Sequence, residues 1–264
     1  MSETLKVPTM AEMLAAGEVP EVLFWVGCAG SFDDRAKKIT RAIVKILHKA
    51  EVKFAVLGTE EGCTGDPAKR AGNEFLFQMQ AMMNIQVLNG YEIKSIVTGC
   101  PHCFNTLKNE YPELGGNYEV LHHTQFIRNL ISDGKLVLKG GDKFKGKRIT
   151  FHDPCYLGRG NGVYEAPREL LEKLDAELVE MRRCKSKGLC CGAGGAQMFK
   201  DAEPGNKEVN IERTEEALDI RPQIIATGCP FCNTMMTDGV KNAEKEEQTK
   251  VFDIAELIAT ADDL

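Results

Sequence analysis

An α/β fold is predicted for this 264-residue sequence: two tandem, internally duplicated domains, each a small, mostly parallel sheet with flanking helices and a cysteine cluster at one sheet edge. Three observations carry the prediction. Short apolar runs of strand type alternate with longer stretches of helical spacing, the pattern of parallel strands joined by crossover helices. The turn GCPHC at 99–103 returns as GCPFC at 228–232. Cysteines also recur at a near-constant offset: Cys28 with Cys155 and Cys63 with Cys190 at 127 residues, Cys100 with Cys229 and Cys103 with Cys232 at 129.

Residues 1–20 are read as an N-terminal extension, since they have no basic stretch leading into an apolar run as a secretory signal would. The N-terminal domain is placed at 21–132. EVLFWVG is its first strand, and AKKITRAIVKILHKA behind it has helical periodicity. KFAVLG is a second strand ending just before Cys63. AGNEFLFQMQAMMNI is a helix, IKSIVTG a third strand and YEVLHH a fourth. The Gly- and Lys-rich stretch at 133–148 lacks periodicity and is read as a linker.

The C-terminal domain, 149–264, repeats this order: RITFHD, a helix APRELLEKL with Pro167 near its start, ELVEM, a helix around KEVNIERTEEAL, QIIATG and KVFDIAELI. The flanks agree as well. EVLFWVGC matches RITFHDPC, EEGCTG matches GLCCGAG, and YEVLHHTQFI matches TKVFDIAELI. A period near 128 is too long for a solenoid repeat and suits two domain-sized halves.

Composition narrows the function classes. The net charge of −6, without a Lys/Arg run, makes nucleic acid and anionic membrane poor partners. No apolar stretch approaches the roughly 18 residues of a membrane-spanning helix, so a cytoplasmic protein is expected. In that compartment ten cysteines are not a disulfide framework. Metal binding, redox chemistry or simple burial remain.

In parallel sheets the strand ends on one edge carry the site-forming loops. Each cysteine follows a strand, so one edge of the first half gathers Cys28, Cys63, Cys100 and Cys103. The corresponding edge of the second gathers Cys155, Cys190, Cys191, Cys229 and Cys232. Four thiolates can hold zinc or an iron–sulfur cluster. Structural zinc sites usually draw on two close pairs, whereas here 34 and 36 residues separate two lone cysteines and a final C-x-x-C. Five thiolates exceed a tetrahedral zinc shell, and adjacent Cys190 and Cys191 suit a polynuclear cluster. Pro101 and Pro230 start helices whose positive ends favour the thiolate form. The glycines of CCGAGGA allow close backbone approach and offer N–H groups to sulfur.

Other residues carry blander readings. Cys184, in RRCKSKG, has no counterpart in the first half and is read as a small hydrophobe. His102 and His152 stand beside cysteines, where such residues are more often loop or strand-end polar groups than hydrogen-bonding tuners of a cluster. His48, His122 and His123 are read as structural. GRGNG (158–162) and GAGGA (192–196) complete no nucleotide fingerprint and are read as turns packed at the metal site. Asp66 and Arg70 form a helix-start pair. No catalytic residue is assigned.

The pattern C-x34-CC-x37-C-x-x-C at 155–232, in its CCGAGG and GCPFC contexts, resembles the cysteine-rich CCG domain. That domain is duplicated in the catalytic subunit of heterodisulfide reductase. It also occurs in iron–sulfur subunits of glycolate, lactate and anaerobic glycerol-3-phosphate oxidising systems and in electron-transfer-flavoprotein:quinone-type oxidoreductases. The resemblance covers residues 21–260. It implies a 4Fe–4S-type cluster in each half, noncubane where five cysteines are present. It further implies an electron-transfer subunit, active only in a complex, between a flavoprotein dehydrogenase or ferredoxin-type subunit and a quinone or disulfide acceptor. Such a subunit would meet the inner face of a membrane through a partner. The N-terminal half departs from the pattern, because Thr64 stands where the family has its second adjacent cysteine and cannot replace a soft iron ligand. Four cysteines there suffice for a cubane, so the reading for that half is one-electron relay. The alternative function class is a non-catalytic scaffold held together by zinc.

Overall fold

Each of the two sheets has four strands, all parallel, and the same strand order. The computed structural model describes residues 5–139, 142–201 and 204–264. The chain divides into one unit ending at Val137 and a second covering Leu138–Asp263. Positions 1–4 of the expected extension and 140–141 of the expected linker lie outside the described residues.

The first unit runs α1 (Met10–Ala15), β1 (Val22–Trp25), α2 (Gly27–Phe32), α3 (Ala36–Lys49), β2 (Phe54–Ala55), α4 (Asp66–Arg70), α5 (Glu74–Gly90), β3 (Ser95–Thr98), α6 (Pro101–Asn105), β4 (Glu119–His122) and α7 (His123–Ser132). Its strand order is β2-β1-β3-β4. Every residue of β1 is buried, as a central parallel strand covered on both faces requires. In α3 the buried residues Ile39, Ala42, Ile43, Ile46 and Leu47 recur at three- and four-residue spacing and form the apolar stripe facing the core. His48 and Lys49 in its last turn suit the negative helix end.

The second unit runs β5 (Arg148–Phe151), α8 (Glu165–Glu172), β6 (Glu177–Leu178), α9 (Val209–Asp219), β7 (Ile224–Thr227), α10 (Pro230–Asn242), β8 (Lys250–Asp253) and α11 (Ile254–Ala261), with strand order β6-β5-β7-β8. Register follows the duplication. Leu23 faces Ile96 in the first sheet, and Thr150 faces Ile225 at the matching positions of the second.

Several elements differ from the sequence reading, each for a local reason. The strand read over KFAVLG is only Phe54–Ala55, because the chain turns into a 3-10 helix at Gly58–Glu60. ELVEM is likewise a strand only at Glu177–Leu178. The helix read from residue 71 starts at Glu74, where Asn73 caps it by accepting the Leu76 N–H at 3.0 Å. The extension is tied to the first sheet. Val56 donates to Pro8 O at 3.0 Å, and Met10 donates to Val56 O at 2.9 Å. Thr9 and Glu12 close a capping box over α1. The C-x-x-C helix of the second unit is unbroken, whereas α6 gives way to a π turn at Thr106–Glu110 and a 3-10 turn at Tyr111–Leu114. Pro112 accounts for the break, since it has no N–H and its ring crowds the preceding helical carbonyl.

Both last helices are capped by the final residue of the strand before them. Asp253 accepts the Ala255 N–H at 2.9 Å, while Glu256 accepts the Asp253 N–H at 2.9 Å. His122 fills the same place with its imidazole, 2.8 Å from Thr124 Oγ1. Asp253→Ala should therefore lower the stability of the second unit by about 1 kcal/mol, and Asp253→Asn by only a few tenths. Chemical denaturation would show the two variants as distinct; equal losses would contradict the capping account.

Candidate metal centres

The cysteines reach the sheet edges by different routes. Cys28 lies inside α2, directly after β1. Cys100 and Cys229 are the N-caps of α6 and α10, with proline as the first helical residue. Cys63 and the Cys190–Cys191 pair lie in loops beyond the short outer strands β2 and β6, so for them the strand-end rule holds only loosely. No disulfide joins any of the ten cysteines, all of which lie among the described residues.

In the first unit Cys28 hydrogen-bonds Cys63, Cys100 faces both, and Cys103 hydrogen-bonds Cys100. The bond from Cys28 draws Cys63 down to about 6, and the same bond together with burial pushes Cys28 up. One proton is thus shared unequally. Hydrogen bonding to Cys100 and burial also push Cys103 up. Thr64 is buried with its hydroxyl 3.9 Å from Cys103 Sγ.

The second unit assembles five thiols. Cys155 hydrogen-bonds Cys190, and Cys190 hydrogen-bonds Cys191. Cys191 Sγ is 3.3 Å from Cys232 Sγ, and Cys232 meets Cys229. Hydrogen bonds from Cys155 and Cys191 hold Cys190 far below the ordinary thiol range, while Cys155 and Cys232 are pushed up by their neighbours and by burial. Cys191 therefore faces the second cysteine of its C-x-x-C just as Thr64 does in the first unit. The two pair loops also match in backbone. Gly65 and Gly192 have φ of 88° and 92° and point their N–H groups back at Cys63 Sγ (3.5 Å) and Cys190 Sγ (3.3 Å). That left-handed conformation is open to glycine and strained for other residues.

A ring nitrogen of His152 lies within 4.8 Å of the Cys191 and Cys232 sulfurs. His152 is fully buried, and desolvation, reinforced by the Arg213 charge, lowers its pKa to about 3, so the ring is neutral. His102 instead places Nδ1 2.9 Å from Asp66 Oδ2. Asp66 also accepts from Arg70 at 3.1 Å, and these two partners hold its carboxyl low against the opposing effect of burial. Cys184 is half-buried beside Glu180 and the Arg168–Asp153 pair, apart from the five thiols. His48 bonds Lys6 O at 2.9 Å.

Carboxylates fix the turns that carry the first cysteines. In the first unit Glu61 accepts from Val26 N–H (3.0 Å) and Gly27 N–H (2.6 Å), and burial lifts its pKa to about 7. In the second, buried Arg168 grips both oxygens of Asp153 (2.8 and 3.0 Å) and both of Glu180 (2.6 and 3.0 Å). Asp153 also accepts the Lys185 N–H at 2.7 Å, tying the Cys155 turn to the loop leading to Cys190. The sequence reading missed Glu61, Arg168 and Arg213. A signal existed for one of them: Asn210, Arg213, Thr214 and Ala217 form a buried stripe at helical spacing.

Removing the guanidinium leaves Asp153 buried without its counter-charge. Arg168→Met should cost the second unit about 3–5 kcal/mol, measured by denaturant unfolding. A loss below about 1 kcal/mol would mean that the pair does not organise the turn.

The donor set fits a soft metal or cluster: each site is built from thiols, with a glycine N–H directed at one sulfur and a helix beginning at another cysteine. A family model described as the cysteine-rich domain, CCG, matches residues 22–108 and again 149–237. The chain is 47% identical to the EtfAB:quinone oxidoreductase of Syntrophomonas wolfei over 92% of its own length and 34% of that protein's. It is also 47% identical to the "Probable iron-sulfur-binding oxidoreductase FadF" of Bacillus subtilis, over 96% of this chain and 36% of the relative. Against one polypeptide of the dihydromethanophenazine:CoB–CoM heterodisulfide reductase of Methanosarcina barkeri the identity is 34%, covering 91% of this chain and 59% of the other. The chain thus spans about a third of the first two relatives and little more than half of the third.

Proposed function

Because the chain belongs to the cysteine-rich domain family, carrying its module twice, we propose that it is an iron–sulfur electron-transfer subunit of an oxidoreductase complex. The observation that carries this reading is the five-thiol assembly of the second unit, with Cys191 and Cys232 sulfurs 3.3 Å apart. Cys28, Cys63, Cys100 and Cys103 would hold a four-iron cubane, and Cys155, Cys190, Cys191, Cys229 and Cys232 a noncubane cluster. Bound clusters supply one-electron oxidation and reduction. The chain's own residues hold the sulfurs in place, direct N–H groups at them and exclude water from Cys191, Cys229 and Cys232, which are buried.

Electrons would pass between a flavoprotein dehydrogenase or ferredoxin-type partner and a quinone or disulfide acceptor; a quinone and a heterodisulfide stand in the names of two relatives. A cleft of about 830 Å³ opens beside Cys63, lined by Leu76, Met79, Met83, Val87 and Tyr91. A partner would approach the first centre through this cleft. No described helix is long and apolar enough to cross a membrane. In this reading the subunit is cytoplasmic and meets the membrane's inner face through its complex.

Protein prepared without oxygen should be brown and carry about eight irons per chain, as two four-iron clusters require. A colourless protein containing zinc would sink this reading in favour of a scaffold. Ligand roles separate by substitution. Cys191→Thr should keep iron in the second half but change its electron paramagnetic resonance signal, making that half like the first. Cys184→Ser should leave iron content and spectrum as they are. The reverse pattern would overturn the ligand set.

A further inference from the structure

His152 and Trp25 hold the same place in the duplicated order, each three residues before the first cysteine of its half. Both are completely buried. In both, a ring nitrogen lacks a hydrogen-bond partner among the described residues: Nε1 of Trp25 and Nε2 of His152. A buried N–H without an acceptor costs about 1–3 kcal/mol. Finding one at the same place in both halves points to an acceptor supplied by what the two sites bind.

The tautomer of His152 follows from its other nitrogen. Arg213 can only donate, and its Nε–H is directed at His152 Nδ1 at 3.1 Å. Nδ1 is therefore the acceptor, and the proton of the neutral ring sits on Nε2. Arg213 is itself held in position by Arg183 O (2.8 Å) and Glu216 (3.0 Å). With Nδ1 engaged, Nε2 is the atom available to the Cys191 and Cys232 sulfurs nearby. It carries a hydrogen rather than a free lone pair. The first half supports the same role, because an indole nitrogen donates and does not ligate metal. What the two positions share is an N–H group.

Resting on the iron–sulfur reading above, we propose that His152 Nε2–H donates a hydrogen bond to sulfur of the second centre on its Cys191–Cys232 side. His152 is then a positioning and tuning residue and not a ligand. A donor at sulfur favours the reduced cluster, which carries one more negative charge, and so raises its potential.

The test uses the iron-loaded protein under anaerobic conditions, with redox titration followed by electron paramagnetic resonance. His152→Phe should keep the iron content while shifting the second centre about tenfold against reduction, roughly 59 mV for one electron. The first centre should not move, and His152→Gln, which keeps an N–H donor, should recover part of the shift. Unchanged potentials in the Phe variant would overturn the proposal. So would loss of iron from a folded second half, which would make His152 a ligand. Should the variants fail to fold, pulsed resonance on unmutated protein labelled with ¹⁵N-histidine decides: weak nitrogen coupling supports a hydrogen bond, whereas strong coupling or none overturns it. Unmutated protein without iron defeats both this proposal and the reading beneath it; iron-loaded protein with a silent His152 defeats this one alone.

Discussion

Mutual repulsion of crowded sulfurs is the constraint around which each half is built. Thiolates packed together cannot all carry charge unless something positive answers them. The shifts within the assemblies express this: Cys28, Cys103, Cys155 and Cys232 are pushed up by their neighbours, while Cys63 and Cys190 are lowered because a neighbouring thiol donates to them. The fold supplies partial positive charge at the same points. Helices begin at Cys100 and Cys229, and glycine N–H groups face Cys63 and Cys190. These dipoles answer part of the charge, and a bound metal centre would answer the rest.

A parallel sheet meets this demand because all its strands end at one edge. The order β2-β1-β3-β4 places β1 and β3 side by side, and their following turns carry Cys28 and the Cys100–Cys103 pair. Only the outer-strand cysteine must come from farther away, through a loop that needs its own support. In the first unit Asn84 provides it, accepting from Gly62 N–H at 3.2 Å and donating to Cys63 O at 2.8 Å. In the second unit the Asp153–Arg168–Glu180 network does the same with full charges. The two halves thus share backbone and sulfur placement while differing in the polar groups that brace them.

How much could be read in advance follows from this division. Strand–helix alternation and the parallel architecture were legible because central strands such as Val22–Trp25 are apolar on both faces and helices such as α3 carry a regular stripe. The duplication was legible because cysteine spacing tolerates little drift. The short outer strands, Phe54–Ala55 and Glu177–Leu178, were overread, since beyond Val56 and Val179, which each still make a sheet-type backbone bond, the chain leaves the sheet. The bracing residues were hidden for a different reason. Arg168 and Glu61 look like ordinary surface charges in sequence, and their burial depends on partners 15 and 34 or 35 residues away.

The asymmetry between Thr64 and Cys191 gains meaning from what surrounds each. Thr64 is not a loose substitution: its hydroxyl addresses Cys103, and its carbonyl accepts from Tyr111, which Asn84 also contacts at 3.0 Å. Tyr111 in turn stands where Pro112 breaks the C-x-x-C helix, so the threonine, the tyrosine and the altered helix form one packed arrangement. In the second unit α10 continues unbroken, and the corresponding space beside Cys232 holds a sulfur and a neutral imidazole. A single Thr64→Cys change would place a thiol facing Cys103, as Cys191 faces Cys232, but would leave the Tyr111 contacts and the broken helix of the first unit around it. The two halves have diverged through their second layer of contacts, and the ligand difference is the part of that divergence visible in the sequence.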